Sequence, residues 1–253
     1  MSDTLHLSPD IQTDMRLGNV MFALAAAYAH ALRVGVACHV PWDFNHVTRS
    51  LRYFLGEDAL PSTLDGLNEP EAYRERDFSY APIPVHIQHG SLLGYFQSAK
   101  YFNDQEEHIR NLFAPLTTSR QENTLGVHIR LGDYKRLQHK HRLVDADFLQ
   151  RAFSYISPEI GRLVLFSDEP DAALSLLKAI PDADHFTIEV DNSSPCDALR
   201  LMSSMQELIM SCSSFSWWAA YLGKIERVVV PCNWFVGEIN VYQDVYLSHW
   251  IQL

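Results

Sequence analysis

The chain has 253 residues, of which 47% are hydrophobic and 20% charged, and its formal net charge is -11. That length supports one large or two small domains with a substantial core, and so acidic a balance argues against a broad nucleic-acid surface. Four separated cysteines, Cys38, Cys196, Cys212 and Cys232, form no Cys-x-x-Cys pair, which indicates neither a zinc site nor a redox motif; they read as free thiols of a reducing cytoplasm.

In chain order, Thr4 to Ser8 reads as a first strand, with Leu5 and Leu7 alternating. The turn Arg16-Leu17-Gly18-Asn19 feeds an Ala-rich helix over Val20 to Leu32. A Gly-containing turn before a helix presents backbone N–H groups and a positive dipole end. Asp3, Asp10 and Asp14 precede the helix, the wrong charge for a signal peptide. His30 and Arg33 interrupt it, so it is expected to be too polar to span a bilayer and to be an amphipathic core helix. No transmembrane segment is expected elsewhere. Val34 to Val40 reads as the next strand, closed by Pro41. Residues 42–90 mix short helical patterns with prolines and show no interpretable organisation. Gly94 to Ser98 leads into a helical segment near Asp104 to Phe113, and the polar stretch Pro115 to Asn123 reads as a linker.

The second half alternates regularly. Strands are predicted at Leu125 to Ile129, Arg162 to Ser167, Phe186 to Val190 and Arg227 to Val230, with a short apolar segment at Glu207 to Met210. Helices are predicted at Ala146 to Tyr155, Asp171 to Ala179, Pro195 to Met205 and Trp217 to Leu222. This β-α alternation predicts parallel sheets covered by helices.

The segment Val127-His128-Ile129-Arg130-Leu131-Gly132-Asp133-Tyr134 carries the most chemistry. His128 and Arg130 share one face of an extended chain, and Gly132 lets the backbone turn. Ligands of open α/β sheets sit beyond the carboxyl ends of strands, where the guanidinium fork of Arg130 suits phosphate oxygens. Asp133 is placed either as a base or as the carboxylate that orients that fork. From Arg130 to Arg142 the chain carries five Lys and Arg residues against Asp133 alone. Such a basic island in an acidic chain fits a focused anion site, and the alternative is a solvated loop with one buried ion pair. Ser213, Ser214, Phe215 and Ser216 open a helix, where hydroxyls and N–H groups suit phosphates or simply cap it. Ser167 and Asp168 end a strand; Asp168 is a candidate for guanine or ribose, or part of an acidic helix start with Glu169. Trp217 and Trp218 read as core. The triplets Asp145-Ala146-Asp147 and Asp182-Ala183-Asp184 have metal-site spacing but read as structural, the first as a helix cap.

Five motifs in order resemble the bacterial α-1,2-fucosyltransferases of glycosyltransferase family 11. They are Arg16-Leu17-Gly18-Asn19-Val20-Met21-Phe22, Gly94 to Ser98 followed by Lys100-Tyr101-Phe102, His128 to Tyr134, Leu165-Phe166-Ser167-Asp168-Glu169, and Ser213 to Ala220. The chain departs from the family pattern at Val20, Leu131, Glu169 and Cys212. The resemblance implies an α/β, GT-B-like fold: two Rossmann-like domains facing a central cleft, here residues 1–122 on the acceptor side and 123–253 on the donor side. It implies inverting transfer of L-fucose from GDP-L-fucose, the donor substrate, to the 2-hydroxyl of a galactose-terminated glycan acceptor. Neither a metal nor a cofactor is implied. Arg130, Asp133 and Asn19 are its implied catalytic residues. Gly18, His128, Ser167, Asp168, Ser213, Ser214, Phe215 and Ser216 are its implied substrate-binding residues. A cytoplasmic protein is expected, with peripheral contact at the inner membrane where the acceptor is lipid-linked and no nucleic-acid partner. An inactive nucleotide- or glycan-binding relative and a fucosyltransferase of different linkage are the alternatives.

Overall fold

The computed structural model describes residues 5–63, 70–237, 239 and 241–253. The chain forms two compact units, one of residues 1–115 with 243–246 and the other of residues 116–242 with 247–253. The expected linker is tied down. Leu116 is fully buried, Gln121 N–H donates to Ser204 O (2.8 Å), and Asn123 N–H donates to Gln206 Oε1 (2.6 Å). Residues 116–122 therefore belong with the second unit.

The first unit is built on a parallel sheet of β1 (His6–Pro9), β2 (Ala37–Cys38), β3 (Glu71–Arg74) and β4 (Gly90–Leu93), in the order β2-β1-β4-β3. Thr4, the expected start of the first strand, lies outside the described residues. Helix α1 (Leu17–Val34) starts earlier and ends later than its apolar pattern suggests, and Gly35 closes it in the left-handed conformation at φ 73°. The expected core helix is present, and the expectation that it is amphipathic and too polar to span a bilayer is corrected. Its 18 residues have a mean hydropathy of 1.2, long and apolar enough to cross a membrane, and 72% of them are buried. Alanines clear its girth on every side, so it packs all round and not along one stripe. Arg33 anchors its end to Asp104 through Nε (2.6 Å) and Nη2 (2.7 Å).

The unreadable stretch contains α2 (His46–Leu55), whose Asn45 and Thr48 make a capping box. Helix α3 is Glu106–Leu112. Lys100 and the backbone N–H of Tyr80 (2.8 Å) both hold Asp244, which ties residues 243–246 to this unit.

The second unit carries a parallel sheet of β5 (Thr124–Ile129), β6 (Arg162–Ser167), β7 (Thr187–Val190), β8 (Glu207–Met210), β9 (Arg227–Val230) and β10 (Ile251–Gln252). Its order is β10-β9-β8-β5-β6-β7. Between the strands run α4 (Ala146–Phe153), α5 (Pro170–Lys178), α6 (Pro195–Met202) and α7 (Ser214–Gly223). β5 is buried along its whole length, as a central parallel strand must be. Leu125, Val127 and Ile129 point into one cluster with Phe148, Leu149, Leu163, Leu165 and Leu177. Trp217 and Trp218 are fully buried, and Asp145 caps α4 by accepting from Phe148 N–H (2.8 Å). Cys38, Cys196 and Cys212 are buried, and Cys232 is exposed.

Candidate functional site

The order of the second sheet reverses between β5 and β8: β5, β6 and β7 follow one another outward on one side of that point and β8, β9 and β10 on the other, all strands parallel. Doubly wound sheets bind ligands outside the carboxyl ends of the strands at such a point. Arg130 follows β5 there, and Ser211, Cys212 and Ser213 join β8 to α7 beside it. Ser211 stitches the two strand ends together. Its Oγ donates to His128 O (2.9 Å) and accepts from Arg130 N–H (2.9 Å). Ser211 carries no motif signal in the sequence; only its position after β8 points to it.

Arg130 is held in a carboxylate clamp. Its Nε (3.1 Å) and Nη2 (2.7 Å) donate to Asp133 Oδ1, and its Nη1 lies 3.1 Å from Asp168 Oδ2. Asp168 Oδ1 also accepts from Leu131 N–H (3.0 Å), so one side chain fixes both the loop and the guanidinium. Gly132 makes this possible. A Cβ there would sit 2.2 Å from Asp168 Oδ2. The Tyr134 ring lies 5.8 Å from the guanidinium carbon, and its hydroxyl donates to Cys212 O (2.8 Å). Burial pushes the Tyr134 phenol well up, so it stays a donor. Tyr134 stacks on His141 at 4.2 Å, and His141 packs against Phe235. The clamp removes the freedom of a long side chain before any ligand arrives, while Nη1 and Nη2 keep further N–H groups to offer.

His128 lies beneath this edge, buried, with Nδ1 2.9 Å from Ser216 Oγ and its ring 5.7 Å from that of Phe215. Burial, helped by the positive charge of Arg130, lowers its pKa to about 3, so the ring is neutral near neutral pH. Ser213 caps α7 by accepting from Phe215 N–H (3.3 Å), and Ser214 is the first residue of that helix. The helix N-terminus thus opens at the same strand edge as Arg130, adding a positive dipole end. Ser167 Oγ donates to Ile129 O (2.7 Å) and accepts from Glu169 N–H (3.1 Å), which fixes the exit of β6. Lys135 pairs with Glu169, and Arg142 stands 3.9 Å from Asp145. Arg136 and Lys140, the rest of the basic island, are exposed.

Cys212 is buried in place of the asparagine of the family pattern. Its Sγ faces Pro231 O and Asn233 O, and burial pushes its thiol well up. Gly18 and Asn19 lie in α1 of the first unit, where Asn19 Oδ1 accepts from Gln97 Nε2 (2.9 Å). The motif around Gly94 folds about Glu75. That carboxylate accepts from Tyr95 N–H and Phe96 N–H, both at 2.8 Å. Burial raises its pKa to about 7 against the pull of these donors. Glu75 carries no signal in the sequence, because its neighbours show no periodic pattern.

Residues 68–253 match the glycosyl transferase family 11 profile. The chain is 32% identical over 142 residues to the O-antigen biosynthesis glycosyltransferase WbnK of Escherichia coli, covering 52% of this chain and 45% of that one. It is 26% identical over 179 residues to an alpha-1,2-colitosyltransferase of Escherichia coli, covering 64% of this chain and 61% of that one. The chain therefore spans about half the length of the curated relatives it matches. The fold resembles that of the fucosyltransferase NodZ from Bradyrhizobium, with a TM-score of 0.52 at 13% identity, covering 90% of this chain and 96% of that one. It is an α/β fold of the GT-B class, with a parallel sheet in each unit. With its profile match running through β5, the clamp and α7, the chain belongs to glycosyltransferase family 11.

Proposed function

We propose that this chain is an inverting glycosyltransferase that moves L-fucose from GDP-β-L-fucose to the 2-hydroxyl of a terminal β-galactoside. The observation that carries this reading is the Arg130 fork, pinned by Asp133 and Asp168 at the strand-order reversal of the second sheet. Glycosyl transfer builds negative charge on the departing diphosphate while the anomeric carbon becomes cationic. A preorganised guanidinium and a helix N-terminus stabilise that charge without reorganising during the step. Asp133 acts in this scheme as the carboxylate that orients Arg130, because its Oδ1 already accepts two guanidinium N–H groups. His128, neutral and bonded to Ser216, supports the strand edge and does not shuttle protons. A cytoplasmic location, peripheral to the inner membrane where the acceptor is lipid-linked, belongs to the same proposal.

The test is transfer from GDP-L-fucose to a panel of terminal β-galactosides with EDTA present, reading product mass and linkage. An α-1,2-fucosylated product is expected. Arg130→Ala should lower its rate about a hundredfold, or ~3 kcal/mol. An Arg130→Ala enzyme of undiminished rate would remove the phosphate role. A second donor belongs in the panel, because one relative is an alpha-1,2-colitosyltransferase. Transfer of colitose in preference to fucose would replace the donor assignment and leave the clamp chemistry intact.

A further inference from the structure

A cavity of about 240 Å³ opens among α1, α2 and α3 of the first unit, lined by Tyr28, Leu55, His108, Asn111, Leu112 and Pro115. Local structure builds it. His108, Asn111 and Leu112 stand at positions i, i+3 and i+4 of α3, so they share one face. Leu55 is the last residue of α2, where Gly56 turns the chain at φ 97°. Tyr28 stands in the alanine run of α1, between Ala27 and Ala29. An apolar cavity of about 150 Å³ holds a benzene, so this one admits a six-membered ring with its substituents.

No Lys, Arg, Asp or Glu lines the cavity among the described residues. Two carboxylates close to it in sequence are engaged elsewhere, Glu57 by Arg52 (2.8 Å) and Glu106 by Arg110 (2.6 Å). An anion would meet no fixed cation in the wall and a cation no carboxylate, which selects a neutral ligand. The Tyr28 hydroxyl, the His108 ring and the Asn111 amide make no hydrogen bond among the described residues. An alkyl chain would strip water from these three groups and return nothing. A wholly polar ligand would leave Leu55, Leu112 and Pro115 uncovered. A ring with a C–H face and a hydroxyl edge satisfies both walls. The amide both donates and accepts, which suits two adjacent hydroxyls. Burial holds the Tyr28 phenol above its usual range, so it stays a donor.

We propose that this cavity binds one neutral pyranose of a glycan, with Tyr28, His108 and Asn111 on its hydroxyls and Leu55, Leu112 and Pro115 against its C–H face. It shares no residue with the Arg130 edge and does not rest on the fucosyl-transfer reading. Its consequence in a glycosyltransferase is a hold on a longer glycan through a sugar that does not react. The probes are the methyl pyranosides of galactose, glucose, mannose and N-acetylglucosamine, with 1-octanol as the apolar comparison. Saturation-transfer NMR titrates each against wild type, Tyr28→Phe and Asn111→Leu, and thermal midpoints report that the variants are folded. At least one glycoside should bind wild type. Tyr28→Phe should weaken it about three- to tenfold and Asn111→Leu about tenfold or more, as expected for losing one and two hydrogen bonds. No glycoside binding by wild type, or an affinity unaltered in both variants, overturns the site. Octanol binding that Asn111→Leu strengthens, with no glycoside bound, overturns it too and makes the cavity an apolar cleft. Glycoside binding that both variants weaken sustains it even where no fucosyl transfer occurs.

Discussion

At the scale of single residues, the second unit's site depends on a glycine as much as on an arginine. Asp168 reaches Leu131 N–H and Arg130 Nη1 only because residue 132 has no Cβ. Gly132→Ala would push that carboxylate away by steric force and loosen the guanidinium it holds. We expect this variant to weaken GDP binding at least tenfold and to lower the thermal midpoint, because a displaced carboxylate leaves a buried N–H unpaired, at about 1–3 kcal/mol. Gly161→Ala is the control, since nothing lies within 4 Å of its added methyl and its φ is unexceptional. Calorimetry with GDP on both variants checks the pair. Equal affinities would show that Asp168 does not set the geometry of Arg130. The Gly132-Asp133 pair is visible in the sequence as a turn. The reach of Asp168 across from β6 is not, because it depends on the pairing of β5 with β6.

At the scale of elements, the turn from Gly94 to Phe96 is organised by a carboxylate whose charge opposes its burial. Glu75 accepts two backbone N–H groups, and Phe96 is held at φ 50° beside it. Because its pKa in the fold is about 7 and its ordinary value 4.5, the folded state keeps a proton that the unfolded chain has released. The stabilising share of this group is complete below 4.5 and is lost as pH rises through about 7. Thermal midpoints of wild type and Glu75→Gln across that window should show the wild type losing ground to the variant as pH climbs. A difference that stays constant with pH would mean that Glu75 is already ionised throughout. Elements with a strong pattern were legible in the sequence: β6 and β9 match the predicted bounds, and β8 coincides with the short apolar segment that was not assigned as a strand, because each has an apolar centre between turn residues. Elements held by context were not. β3 is a half-exposed edge strand of sequence Glu-Ala-Tyr-Arg with no alternation to read, and β10 has only two residues. The predicted second strand shrank to Ala37–Cys38 because α1 runs on to Val34 and Gly35 turns the chain.

At the scale of the whole molecule, the chemistry of the second unit follows from its strand order. Its sheet reverses strand order between β5 and β8, and the residues that follow those two strands line that edge. That edge offers a fixed guanidinium and a helix N-terminus, suited to an anion. The sequence announces this chemistry through its basic island and leaves Ser211 unmarked, because Ser211 meets Arg130 only through the pairing of β5 with β8. A ligand that binds only the folded form stabilises what it touches, by on the order of 3 kcal/mol at a hundredfold excess over its Kd. GDP should therefore slow hydrogen exchange at Arg130 to Tyr134, Ser167 to Glu169 and Ser211 to Phe215, with no change at β1, β4 or Thr63. Exchange mass spectrometry with and without GDP reads this directly. Protection confined to the second unit would assign the nucleotide to the Arg130 edge. Protection centred on β1 and β4 would place it in the first unit and overturn the phosphate role proposed for Arg130.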